Sequence, residues 1–110
     1  MGWHDMFYHL NLNMDSDDAG KLSGKLYEFI SYHAILTSSK LAKERGSYST
    51  YSGSLWDQGI IPVDTYKKLC EYRGKKFDAV ETLDWNSVRS HIKRHGMRNS
   101  NTMAIAPTAT

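Results

Sequence analysis

The feature that most limits how this chain can fold is a helical pattern that runs without interruption over residues 17–45. No proline lies within this stretch, and it is followed by Gly46, a residue that can take the left-handed conformation in which helices commonly end. At about 1.5 Å per residue, the predicted helix is roughly 40 Å long. Since that is long for a chain of 110 residues, we expect the helix to pack on elements outside these residues, as a segment of a larger fold would.

Apolar side chains, with one histidine and one threonine among them, recur on this helix every three or four residues, which predicts a single stripe. The stripe consists of Leu22, Leu26, Phe29, Ile30, His33, Thr37 and Leu41. Asp15 is the predicted cap at the start of the helix, and Asp17 and Asp18 place carboxylates near the positive end of the helix dipole.

The residues before and after the long helix differ in pattern. Trp3, Met6, Phe7 and Leu10 have helical spacing, which predicts a short helix at the start of the chain. Residues 46–62 have no sustained period and are rich in serine, tyrosine and glycine. We therefore expect a connecting loop there, whose aromatic side chains pack on neighbouring elements.

Two short helices are predicted in the second half of the chain. The first begins at a cap formed by Asp64 or Thr65 and ends at Gly74, and the second begins at Asp84 and ends at Gly96. The residues with helical spacing are Tyr66, Leu69, Cys70 and Arg73 in the first helix, and Trp85, Val88 and Ile92 in the second.

The C-terminal residues predict a strand that leads into a phosphate-binding loop. Residues 102–106 form a short apolar run, and Pro107 after it cannot donate to a β-ladder, which is typical of the end of a buried strand. Thr108, Ala109 and Thr110 are small residues, whose backbone N–H and hydroxyl groups can approach an anion closely. A C-terminal strand with a frayed polar end explains the same residues, so physical reasoning alone leaves both alternatives open.

Several blocks of the sequence, in order, carry a resemblance to a known family. They are residues 41–46 with 48–56, residues 59–66, residues 83–85 with Ile92 and Lys93, and residues 96–100 with 104–110. These blocks resemble the large (alpha) subunit of ribonucleoside-diphosphate reductases, whose substrate-diphosphate loop begins in the last block. The resemblance covers nearly the whole chain, and several ordered blocks are far harder to obtain by chance than one short motif.

The resemblance implies an α/β fold, as a fragment of a ten-stranded α/β barrel that is mostly helical, with one long helix and a C-terminal strand. It implies one partial barrel domain over residues 1–110, incomplete at both ends. The parent enzyme is expected to reduce ribonucleoside diphosphates to 2′-deoxyribonucleoside diphosphates for DNA synthesis through a thiyl radical. Because the family's catalytic cysteines and effector sites match nothing in this sequence, we expect the isolated chain to be inactive.

The resemblance also implies a site and its partners. Pro107, Thr108, Ala109 and Thr110 match the positions that hold the substrate's diphosphate, whereas no catalytic residue, metal or cofactor is assigned to this segment. The implied partners are the remainder of the alpha subunit, a radical-generating metallo beta subunit and a ribonucleoside diphosphate. Adenosylcobalamin would replace the beta subunit in a related class, but residues 59–65 favour the class with a diiron partner.

Charge and composition indicate no other partner. Fourteen basic and twelve acidic side chains leave a net charge of +2, spread along the chain, so no nucleic acid or anionic membrane is indicated. No apolar run approaches the ~20 residues that span a bilayer, and the start of the chain lacks a signal-peptide pattern. The single cysteine, Cys70, cannot form an internal disulfide. We therefore expect a cytoplasmic location.

Other residues allow alternative functions. His91 and His95 have the spacing of two metal ligands on a helix, but a solvated helix face explains them better because no Cys, Asp or Glu matches nearby. Cys70 is interpreted as a buried apolar residue rather than a nucleophile. Residues 98–100 (Arg-Asn-Ser) are expected to tie the preceding loop by hydrogen bonds, with direct ligand contact as the alternative.

Two hypotheses of other classes remain beside the reductase segment. One is a small helical module that binds a phosphate or a nucleotide at its C-terminal loop. The other is an inactive relic that folds only in part, and such a relic would expose the apolar stripe of the long helix.

Overall fold

The computed structural model describes residues 2–107, and four helices follow one another within that range. They are α1 (Trp3–His9), α2 (Asp17–Arg45), α3 (Pro62–Tyr72) and α4 (Trp85–His95). The other described residues form turns and irregular segments. The principal contact between helices is that of α2 with α4, so α2 is the element against which the second half of the chain is arranged.

The expected α/β fold is wrong for these residues, which are helical and form no strand, sheet or barrel within the described range. The predicted strand, residues 102–106, is irregular and open to solvent, and the side chains of Met103 and Ile105 are 45% and 93% exposed. A strand needs a neighbour whose backbone groups complete the ladder. Residues 2–107 supply no such neighbour, and the apolar run therefore has no sheet to join.

The long helix spans the residues predicted for it, but its N-cap is Ser16 rather than Asp15. The Ser16 hydroxyl accepts a hydrogen bond from Ala19 N at 3.2 Å and donates one to Asn13 O at 2.6 Å. The prediction of Asp15 is wrong by one residue because aspartate and serine are equally good caps and the backbone path decides between them. At the other end, Gly46 ends the helix as predicted, with a positive φ of 81° that favours glycine.

The third helix starts earlier than predicted. It begins at Pro62, a residue whose fixed φ suits the first helical position. Asp64 is therefore not the cap but lies in the first turn, where its carboxylate accepts a hydrogen bond from Ile61 N at 3.0 Å. Thr65 lies one residue further into the helix, so the two predicted caps are both wrong.

The predicted bounds of α4 are confirmed. Asp84 caps its start, because the carboxylate accepts hydrogen bonds from Ser87 N at 3.3 Å and from the Ser87 hydroxyl at 2.5 Å. Gly96, with a φ of 76°, ends the helix. Both ends were recognisable because aspartate before a helix and glycine after it are strong local signals.

An apolar core lies between α2, α4 and the segments that flank α3. Its fully buried members are Ile35, Ile61, Val88, Ile92 and Met97. Partly buried side chains pack around them, namely Tyr32, Leu36, Tyr48, Tyr51, Trp56, Val63 and Trp85. Since three of these come from residues 46–62, the predicted packing of the aromatic loop is confirmed.

The first helix contacts the opposite end of α2. The Trp3 ring stacks on Tyr27 with the ring centroids 4.4 Å apart, and its indole N–H donates to the Ser23 hydroxyl at 3.1 Å. Phe7, also on α1, is buried. No helix in residues 2–107 combines the length and the apolar character that a membrane span requires.

The two sides of α2 have different surroundings. The side that faces the rest of the described residues carries Ala19, Glu28, Ile35, Ser38, Ser39 and Ala42, all buried. The other side carries much of the apolar stripe, and there Phe29, Ile30 and Leu41 are 54%, 45% and 37% exposed. Within residues 2–107, α2 therefore buries Ile35 together with polar and small side chains, and it exposes several other large apolar ones.

Candidate functional site

Residues 96–100, which we call the anchored segment, leave the end of α4 and lead toward the predicted phosphate loop. The segment starts at Gly96, where a Cβ would overlap the Ser47 hydroxyl, so glycine is required both for this close approach and for the positive φ. Met97, the next residue, is fully buried, and its carbonyl accepts a hydrogen bond from Tyr48 N at 3.1 Å. The beginning of the segment is thus fixed in the core.

The next residues of the anchored segment bind Ser38 in the middle of α2. Arg98 N donates to the Ser38 carbonyl at 3.1 Å, and Asn99 N donates to the Ser38 hydroxyl at 3.0 Å. That hydroxyl in turn donates to Asn99 Oδ1 at 3.0 Å. The Ser100 carbonyl accepts from Trp56 Nε1 at 2.9 Å. The prediction that these residues tie the chain by hydrogen bonds is confirmed.

The neighbouring serine, Ser39, is fully buried and binds the same segment from one residue further along α2. Its hydroxyl donates to the Gly96 carbonyl at 2.8 Å, and it lies 2.7 Å from His91 Nδ1. Because the hydroxyl proton is used for Gly96, the serine oxygen accepts from His91, which places the imidazole proton on Nδ1. Ser39 therefore joins α2, α4 and the anchored segment at one point.

Burial lowers the pKa of His91 below its ordinary value of 6.5, and the nearby positive charges of His95 and Lys43 lower it further. The His91 and His95 rings are tilted against each other with centroids 4.6 Å apart. His91 is occupied by Ser39, and residues 2–107 contain no group of three His, Cys, Asp or Glu side chains placed to hold a metal ion. The pair thus forms a packed contact beside the anchored segment.

A buried carboxylate fixes the approach to α4. Glu28 of α2 accepts hydrogen bonds from Thr82 N at 2.6 Å, Thr82 Oγ1 at 2.7 Å, Leu83 N at 2.9 Å and Trp85 Nε1 at 3.0 Å. Burial acts to raise the pKa of Glu28, but these hydrogen bonds outweigh burial and hold the pKa below its ordinary value of 4.5. The ionised carboxylate therefore fastens residues 82–85 to α2.

An ion pair holds the loop and α3 against α4. Arg89 donates to the two carboxylate oxygens of Asp64 at 2.6 and 2.7 Å and to the Gly59 carbonyl at 3.2 Å. The hydrogen bonds from Arg89 lower the pKa of Asp64, although burial opposes them. A cavity of about 590 Å³ adjoins this pair, with Trp56 and Lys93 also in its lining. The arginine in the cavity lining, Arg89, already donates both hydrogen bonds of its ion pair to Asp64.

The predicted diphosphate-binding residues lie at and beyond the end of the described range. Pro107 is exposed and is the last described residue, whereas Thr108, Ala109 and Thr110 lie outside the described residues. A groove of about 500 Å³ separates the exposed side of α2 from residues 99–102. The chain therefore runs beside α2 as it passes from the anchored segment toward Pro107.

The partners of the anchored segment and of residues 82–85 were not predicted. Ser38 and Ser39 lie 52 to 61 residues away from the groups that their hydroxyls bind. Glu28 lies 54 to 57 residues away from its partners in residues 82–85, and no local pattern links either set. One signal was present. Two consecutive serines and a glutamate lie opposite the apolar stripe in a helix that would otherwise have no reason to bury them.

Comparisons with known proteins give matches over most or all of the chain. A family model described as the barrel domain of ribonucleotide reductase matches residues 1–110. The ribonucleoside-diphosphate reductase subunit alpha of Chlamydia pneumoniae is 51% identical over 113 residues, which cover 100% of this chain and 11% of that protein. The large chain of the Neurospora crassa enzyme is 40% identical over 110 residues, with 99% and 11% covered. Subunit alpha of the Escherichia coli reductase 1 is 38% identical over 94 residues, with 84% and 12% covered.

These matches define the class of protein: all three relatives are the alpha subunits or large chains of ribonucleoside-diphosphate reductases. The chain belongs to the ribonucleotide reductase barrel domain family. It spans about 11% of the length of the first curated relatives that it matches. The recognition of the family from its ordered sequence blocks is therefore confirmed.

Proposed function

We propose that this chain is a segment of a ribonucleoside-diphosphate reductase alpha subunit, and that it begins the loop that holds the diphosphate of the substrate. The observation that carries the proposal is the match over the whole chain to subunits of that name. The complete enzyme would reduce ribonucleoside diphosphates to 2′-deoxyribonucleoside diphosphates by thiyl-radical chemistry. Pro107, Thr108, Ala109 and Thr110 would bind the diphosphate through backbone N–H and hydroxyl groups.

The radical chemistry needs thiols from outside these residues. Cys70 is the only cysteine in the sequence, and it is buried on α3 with 5% of its surface exposed, which supports its interpretation as a buried residue. A thiol with so little exposed surface is poorly accessible to a reactant. The role of this segment is accordingly scaffolding and phosphate binding, and the isolated chain is expected to be inactive.

We assign the exposed side of α2 to contact with the remainder of the alpha subunit. Phe29, Ile30 and Leu41 form an apolar surface on one side of a helix, and such surfaces mark sites of contact with other protein. An inactive relic would expose the same surface. The complete alpha subunit would cover it, and it would work with a radical-generating metallo beta subunit, or with adenosylcobalamin in the alternative class.

The test of the proposed site is a pair of threonine substitutions in the complete alpha subunit. Thr108→Val with Thr110→Val removes two hydroxyls and keeps the size of the side chains. Each hydrogen bond from a hydroxyl to a charged phosphate is worth about 1.5–3 kcal/mol, so we expect the Kd for a ribonucleoside diphosphate to rise at least about tenfold. The Kd of the corresponding nucleoside, which lacks phosphate, should stay the same.

Thr102→Val is the matched control, since this threonine lies on the same part of the chain before the loop and is half-buried. Its binding of the diphosphate should equal that of the unmodified subunit. Equal diphosphate binding by the double variant and this control would refute the assignment of the loop. Binding of the diphosphate by the isolated chain, at the affinity of the complete subunit, would favour the independent binding module instead.

A further inference from the structure

We propose that Ser38 and Ser39 of α2 are positioning residues for the diphosphate loop, which they act upon through the anchored segment. The inference rests on the proposed function, because it concerns how the loop that begins at Pro107 is held. Nothing in the sequence blocks that carry the family resemblance includes these two serines, which precede the first block at residue 41.

The two serines are unusual for residues within a helix. A helical serine commonly faces solvent or bonds back to a carbonyl of its own helix. Ser38 and Ser39 are instead 3% and 0% exposed, and both hydroxyls bind groups 52 to 61 residues away. Each hydroxyl both donates and accepts a hydrogen bond, and these bonds account for the burial of both side chains.

The consequence is that residues 96–99 are held one after another. The Ser39 hydroxyl donates to the Gly96 carbonyl, and Tyr48 N donates to the Met97 carbonyl. The Ser38 carbonyl accepts from the N–H of the next residue, and the Ser38 hydroxyl accepts from the N–H of the residue after it. Since α2 is one uninterrupted helix of 29 residues, both serines lie on the same element. The position and direction with which the chain leaves the anchored segment are therefore set by α2.

Six residues, 101–106, separate the anchored segment from Pro107, where the proposed loop begins. Residues 103–107 are all exposed, and they connect the anchored segment to the proposed loop. A loop that binds a diphosphate with directional N–H groups loses affinity when its backbone is displaced by a fraction of a residue length. Removing the hydroxyls of Ser38 and Ser39 should thus weaken phosphate binding without touching the phosphate.

The experiment uses the complete alpha subunit with Ser38→Ala and, separately, Asn99→Ala. Asn99 is exposed, so its variant loses the bond to the Ser38 hydroxyl with little risk to folding. One lost hydrogen bond is worth about 1 kcal/mol, and we expect the Kd and the KM for the ribonucleoside diphosphate to rise about fivefold. The Kd of the nucleoside should not change. Ser38→Thr, which keeps the hydroxyl, should restore most of the diphosphate affinity.

Ser31→Ala is the matched control, because this serine lies on the same helix, is half-buried, and lines a cavity near Glu28 away from the anchored segment. It should leave both affinities unchanged. Ser39→Ala is measured alongside, with the Tm of each variant as the check of folding.

The outcomes separate this inference from the proposed function. If the threonine double variant weakens diphosphate binding but Ser38→Ala and Asn99→Ala do not, the positioning role is refuted and the loop assignment stands. If the serine variants weaken nucleoside and diphosphate binding equally, the serines are structural only and the inference is refuted. If the threonine variant has no effect, the proposed site fails and the positioning role fails with it.

Discussion

The two sides of α2 differ in what they contact and in the chemistry that they carry. The inner side buries a glutamate and two serines whose hydrogen bonds reach residues 82–85 and the anchored segment. The outer side exposes Phe29, Ile30 and Leu41. An ordinary surface helix carries its large apolar side chains on one side only. The inner side of α2 also places Ile35 in the core, so α2 carries large apolar side chains on both sides. The difference indicates a helix with two sets of partners, one within these residues and one outside them.

The largest contrast between the sides should appear when the same residue type is shortened on each. Ile35→Ala empties a fully buried position of the core, and we expect a loss of about 3–4 kcal/mol in the free energy of unfolding of the 110-residue chain. Ile30→Ala, on the outer side, should lose less than about 1 kcal/mol. Urea unfolding followed by circular dichroism measures both free energies. Equal losses would contradict the burial of the inner side and the exposure of the outer side in the 110-residue chain.

A smaller effect is expected from the buried carboxylate. Glu28→Gln keeps the shape of the side chain but loses charged hydrogen bonds, and it should lower the free energy of unfolding by about 2–3 kcal/mol. Since the pKa of Glu28 is lowered on folding, its contribution is present above pH 4.5, the ordinary value, and is lost as the pH falls below it. Glu44→Gln, an exposed position of the same helix, is the control and should change little.

The smallest effect concerns His91. Its pKa is lowered in the folded chain, so the unfolded chain binds the proton more tightly and stability falls as the pH drops below about 6.5. His91→Asn should flatten this dependence between pH 7.5 and 5.5, as measured by urea unfolding at several pH values. His33→Asn, on the outer side of α2, should retain it. An unchanged pH dependence in the His91 variant would show that other groups are responsible.

Local signals in the sequence were sufficient for the helices. The uninterrupted period and the following glycine predicted α2, and aspartate and glycine marked both ends of α4. The choice between Asp15 and Ser16 could not be made in advance, because both are good caps. The period of the stripe also could not say which side of α2 is covered by these residues, since long-range hydrogen bonds to Ser38 and Ser39 decide it.

The predicted strand and the site both depend on partners that lie far away in the sequence. A five-residue apolar run becomes a strand only beside another strand, and its own composition carries no information about that neighbour. In the site, the role of residues 98–100 as a tie was predicted correctly, whereas the serines that complete the tie were not recognised. Their distance along the chain, about 60 residues, places them beyond any motif.

The most direct measurement of the central claim, that α2 serves partners on both sides, is hydroxyl-radical footprinting of its side chains. Phe29 and Leu41 would be compared in the isolated chain and in the complete alpha subunit, with buried Ile35 as the control for folding. We predict that Phe29 and Leu41 are modified in the isolated chain and protected in the complete subunit, while Ile35 is protected in both. Equal modification of Phe29 and Leu41 in the two samples would contradict the account.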